Sequence, residues 1–144
     1  MHYEDLAPCD YFSGFRAGDA LRAVGWLERG HTYNRGEVED RDVRRLAALL
    51  SKAWQGMFLF CGGHACSLCD SDPFRSFGNL FVPRGKVILV SPEAILHYIT
   101  VHDYLPPRSY FEALHRCPPM RSEQYFEALL SAGLPKRLIR LKRS

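Results

Sequence analysis

Three of the chain's five cysteines and one of its six histidines stand within CGGHACSLCD, residues 61–70. Cys66 and Cys69 form a C-x2-C knuckle there, a spacing at which a tight turn aims two thiolates at one point. Two thiolates leave a tetrahedral ion half satisfied, so further donors must come from elsewhere in the chain. HYITVH, which holds His97 and His102 at H-x4-H, offers two imidazoles on a predicted helix. The expected site is therefore Zn2+ bound by Cys66, Cys69, His97 and His102, although the chain between knuckle and histidines is about twice as long as in a compact zinc finger. His64 and Cys61 are competing donors, either of which could replace a downstream histidine.

Helix geometry sets a condition on this ligand set. Positions five apart on a straight helix lie about 140° apart around its axis, so His97 and His102 share no face. They converge only if the helix loosens or ends near the second histidine. DYLPP follows directly, and Pro106 disfavours helix at Leu105. A thioredoxin-type dithiol is the competing chemistry for the knuckle, but it wants a strand before it and a helix N-terminus at its first cysteine; glycines and DSDP flank this pair instead. Cys9 and Cys117 read as small, partly buried residues rather than ligands.

The elements that must carry these residues are legible in outline. Val43, Leu46, Ala47, Leu50 and Trp54 recur at helical spacing, predicting an amphipathic helix of about four turns from Glu39, closed by Gly56. Residues 1–36 lack sustained helical period, with a short strand expected around Val24–Leu27. GNLFVPRGKVILVS predicts a β-hairpin with arms Leu80–Val82 and Val87–Val90. Ser91 then reads as an N-cap and Pro92 as the first residue of the histidine helix. PRSYFEALHRC and RSEQYFEALLSAG predict two more helices, the second capped by Ser122 and closed at Gly133. Their shared Y-F-E-A-L reads as common apolar spacing, since two copies do not make a repeat array. The expected fold class is α+β, a single small domain with a zinc knuckle, a β-hairpin and several helices.

Size, composition and charge bound the function. The 144 residues fit one domain over 1–133, with a basic C-terminal tail at 134–144. The net charge of +3 arises from that tail: Lys136, Arg137, Arg140, Lys142 and Arg143 leave the preceding residues slightly acidic. No stretch is apolar enough for a membrane span, and the N-terminus has no secretory pattern, so a cytoplasmic protein is expected.

A set of short motifs adds a resemblance. Gly25-Trp26-Leu27 with Arg29-Gly30-His31, the Cys66/Cys69 knuckle and Val82-Pro83 in the hairpin are joined by Ser91-Pro92, His97-Tyr98-Ile99 and His102-x-Tyr104-x-Pro106-Pro107. Over roughly residues 1–115 the chain resembles an uncharacterised family of small bacterial proteins with no established activity. The resemblance implies that knuckle and histidines belong to one site. The chain departs from the pattern in the CGG before the knuckle and in its final helix and tail. GWLERGH has two readings: Trp26 exposed as a partner anchor, or Trp26 in the core with Arg29 or His31 pairing locally.

Three function classes follow. Four protein ligands would close the coordination sphere, which points to a zinc-stabilised protein-interaction or regulatory module and not to an enzyme. A nucleic-acid-binding protein would rely on the tail, because residues 92–102 contain no Arg or Lys. A zinc-dependent hydrolase would need an open coordination position and a base, for which Glu93 and Asp103 are nearest in sequence, and no H-E-x-x-H is present.

Overall fold

The computed structural model describes residues 2–10, 20–55, 64–70, 74–136 and 138–139, with only the backbone of His64 described. Along them run β1 (Leu21–Ala23), α1 (Asp40–Leu50), β2 (His64–Ala65), β3 (Arg75–Ser76), β4 (Asn79–Arg84) and β5 (Val87–Pro92). The helices α2 (Ile95–Val101), α3 (Arg108–Arg116) and α4 (Glu123–Ser131) follow. The fold class is α+β, four helices with a small mixed sheet.

Three strands in the order β1-β5-β4 make the main sheet. β4 and β5 form the expected hairpin, with Phe81 opposite Val90 and Arg84 opposite Val87 around a turn at Gly85 and Lys86. Pro83 lies within β4, which tolerates its missing N–H because β4 is an edge strand. β1 pairs parallel to β5, Leu21 beside Ile88 and Ala23 beside Val90. The N-terminal strand thus ends just before the predicted Val24–Leu27. Gly25 stops it with φ at +80°, and a Cβ there would come within 2.7 Å of Ile95 Cδ1.

Two helix boundaries differ from expectation. α1 ends at Leu50 because its last turn tightens, with the N–H groups of Lys52 and Ala53 donating to Leu49 and Leu50. Trp54 is thereby released into the core between Phe81 and Phe126, at ring distances of 6.0 and 5.7 Å. Ser91 and Pro92 do not start α2; they extend β5, where Ser91 faces Leu80 and Pro92 faces Asn79. The Ser91 hydroxyl is buried and donates to Tyr110 Oη at 3.0 Å, so strand pairing and a tertiary hydrogen bond replace the capping role.

α3 and α4 cover the sheet from β4. Each copy of Y-F-E-A-L buries its tyrosine and its leucine there: Tyr110 and Leu114 in α3, Tyr125 and Leu129 in α4. The Tyr125 hydroxyl donates to the carbonyl of Phe81 at 2.6 Å. Ser122 caps α4, accepting from the Tyr125 N–H at 3.1 Å, and Gly133 follows with φ at +115°. Leu134, Leu138 and Ile139 are buried in the same core, so the described part of the basic tail packs on the domain. Among the described residues, no helix is long and apolar enough to cross a membrane.

Candidate metal centre

The knuckle grows out of the two-stranded ribbon of β2 and β3, in which His64 faces Ser76 and Ala65 faces Arg75. The Cys66 N–H continues the ribbon by donating to the Phe74 carbonyl at 2.8 Å. The chain then turns so that the N–H groups of Leu68 and Cys69 lie on the side of Cys66 Sγ and favour its thiolate. Burial pushes the Cys66 thiol up and the neighbouring Cys69 adds to this, while those two N–H donors oppose it. Two-residue strands carry no periodic signal, so this ribbon was not expected from the sequence.

The histidines converge because α2 stops between them. His97 lies in the helix, which ends at Val101, and His102 has left it with φ −113° and ψ 15°. Asp103 then adopts the left-handed region at φ 56°, and the Tyr104 N–H turns back to the Tyr98 carbonyl at 3.1 Å. A second segment braces this end: Tyr33 Oη donates to the His102 carbonyl at 2.9 Å, and the Gly36 N–H donates to the Asp103 carbonyl at 3.0 Å. The condition set by helix geometry is met by termination rather than loosening.

Both imidazoles present Nε2 to the knuckle. His97 Nε2 lies 3.3 Å from Cys69 Sγ, and His102 Nε2 lies 3.4 Å from Cys66 Sγ and 3.6 Å from Cys69 Sγ. All four ligand atoms fall within 4.8 Å of one another. A tetrahedron with metal–sulfur bonds of about 2.3 Å and metal–nitrogen bonds of about 2.0 Å has S···N edges of about 3.5 Å. The cluster is therefore compatible with a metal ion. Burial, with His102 as a second cause, holds the His97 imidazole below its ordinary range, favouring the neutral ring that carries a lone pair for a metal.

Residues 1–115 match the family described as a domain of unknown function (DUF7919). The chain belongs to the DUF7919 family. No curated protein and no solved structure matches it. The matched region of this DUF7919 member contains the whole Cys/His cluster, together with β1 to β5 and the helices α1 to α3 up to His115.

Cys61 lies outside the described residues, as does the side chain of His64. Cys9 and Cys117 are buried and lie outside the cluster. Trp26 is buried and its Nε1 donates to the Val90 carbonyl at 2.9 Å, which removes it as an exposed anchor. His31 does pair locally, 3.7 Å from Glu28. Arg29 does not. Its Nε donates to the Ser67 carbonyl at 2.8 Å, and Nη2 donates to the Leu68 carbonyl and to Asp70 Oδ1, each at 3.0 Å. Its backbone N–H donates to Ser67 Oγ at 2.8 Å. Glu93 lines a groove beside His97, and Asp103 is exposed at the helix end. Of the tail's five cations only Lys136 is among the described residues, and it is exposed.

Proposed function

We propose that the protein is a zinc-stabilised interaction or regulatory module whose Cys66, Cys69, His97 and His102 form a closed structural site. The observation that carries this reading is the convergence of four side-chain donors, two sulfurs and two Nε2 atoms, with S···N separations of 3.3–3.6 Å. A tetrahedral S2N2 donor set suits zinc over the hard cations, which prefer oxygen. Bound there, zinc would link the knuckle to the end of α2 and contribute directly to folding free energy. With four protein donors committed, the site has no position left for a substrate or an activated water, which argues for a structural role over a hydrolytic one.

An apolar groove beside the site supports the interaction part of the reading. Phe74, Leu96, His97 and Thr100 line a depression of about 410 Å³. Nearby on α2, Val101 is 57% exposed. Exposed apolar groups next to a rigid structural site are the kind of surface that a protein partner covers.

The test is metal content by elemental mass spectrometry on untagged protein, beside Cys66→Ser and His102→Ala variants. One equivalent of zinc in the parent protein, lost together with folding in both variants, is the expected result. Absence of metal from the parent, or metal retained in both variants, would reject the ligand set.

A further inference from the structure

We propose that Arg29 is the positioning residue of the knuckle. Its guanidinium fork holds the turn in the shape that keeps both thiols aimed at the histidines. The proposal's bearing on metal affinity rests on the structural-site reading above; its bearing on the turn does not.

The knuckle is a short turn whose chemistry depends on its backbone. The N–H groups of Leu68 and Cys69 stay turned toward Cys66 Sγ only while the peptide units of Ser67 and Leu68 keep their orientation. The carbonyls of those same two units point away from the sulfur and are taken by Arg29, Ser67 by Nε at 2.8 Å and Leu68 by Nη2 at 3.0 Å. Arg29 and Cys66 therefore lie at opposite ends of the same peptide dipoles. Rotating either peptide breaks its bond to Arg29 and turns its N–H away from the sulfur.

The contribution is geometric more than ionic. The Arg29–Asp70 pair is 3.0 Å long, but its side chains are 58% and 94% exposed, so water and salt screen it. What solvent does not supply is a planar donor group that reaches two successive carbonyls at once, and lysine, with a single ammonium, cannot copy it. Arg29 is itself well anchored. Trp26, three residues earlier, is fixed in the core by its bond to Val90, and the Arg29 N–H is held by Ser67 Oγ. The GWLERGH motif and the knuckle, 38 to 41 residues apart, thus form one unit.

The experiment compares the parent protein with Arg29→Gln and Arg29→Lys by two readouts. The first is zinc affinity in competition with a chromogenic chelator. The second is amide hydrogen exchange at Leu68 and Cys69 in the protein as purified, referenced to amides of β4 and β5. Loss of a ligand's own hydrogen-bond partner costs on the order of 10–100-fold in metal affinity, which sets the upper bound for a group that holds the turn through its carbonyls. The expected result is a loss of affinity within that bound in both variants, with faster exchange at Leu68 and Cys69 and unchanged exchange in the hairpin. Parent-like affinity and exchange in Arg29→Gln would overturn the proposal. Full recovery by Arg29→Lys would overturn it too, since charge alone would then suffice. Should the parent protein take up no zinc, the structural-site reading falls by itself. The exchange comparison then decides: selective acceleration at the turn upholds the clamp, and its absence rejects it.

Discussion

Phe74 lies flat on His97, their ring centroids 4.6 Å apart and their planes 8° from parallel. The stacking fixes the rotation of an imidazole whose Nε2 must stay 3.3 Å from Cys69 Sγ. Aromatic pairs of this kind are worth about 0.5–1.5 kcal/mol beyond simple burial. Phe74→Ala should therefore weaken zinc binding by a few-fold, up to about tenfold, while Phe74→Tyr should leave it near the parent value. Titration with a competing chelator reads the difference, and equal affinities for all three proteins would show that the ring does not orient His97.

Asp103 occupies the left-handed region at φ 56°, immediately after His102. Aspartate tolerates that conformation, and a β-branched side chain does not. Asp103→Val should destabilise the fold by about 1–2 kcal/mol, whereas Asp103→Gly should be neutral or slightly stabilising. Thermal denaturation of the metal-loaded proteins checks both, and a valine variant as stable as the parent would mean that the turn carries no strain to exploit.

The Tyr125 hydroxyl donates to the Phe81 carbonyl at 2.6 Å inside the core. Tyr125→Phe keeps the ring and removes the donor, leaving a buried acceptor without that partner at a cost of about 1–3 kcal/mol. Urea unfolding should show a lower midpoint with an unchanged slope. No shift in midpoint would indicate that the carbonyl finds another donor.

Cys117 offers a pH test away from the metal centre. Burial raises its thiol from an ordinary 9.0 to about 11, with Arg45 opposing. A raised folded-state value means that the native chain keeps its proton when the unfolded chain has lost it. The stability tied to that proton is fully present below pH 9.0 and lost as pH rises through about 11. The stability difference between the parent and Cys117→Ala should stay flat up to pH 9.0 and then turn against the parent. Measuring unfolding free energies of both from pH 7 to 11 tests this; a constant difference would mean that the thiol titrates alike in both states.

The hairpin is legible because two continuous apolar runs, Leu80–Val82 and Val87–Val90, flank turn residues, and the cores of the helices because their apolar residues follow a period of 3.6. The requirement that the histidine helix end near His102 was legible as well, because proline chemistry and helix geometry are both local. Ser91-Pro92 misled because a serine followed by proline fits a helix start and an edge-facing strand end equally well; only pairing with Leu80 and Asn79 decides between them. The spacing of Trp54 fits α1, yet a tightened last turn carries it into the core. The role of Arg29 had no local signature: its partners are mainly backbone carbonyls far along the chain, and carbonyls have no identity in a sequence.

The parallel pairing of β1 with β5 also governs when the protein can assemble. Residues 21–23 bond locally to residues 6–9, but their partner in the sheet, residues 88–90, is made only after α1, the knuckle and β4. The β4–β5 hairpin is a local contact and the β1–β5 pairing a non-local one, so seating β1 carries the larger loop-closure cost. The Trp26 indole reaches its Val90 acceptor, 64 residues along the chain, only when that long loop has closed.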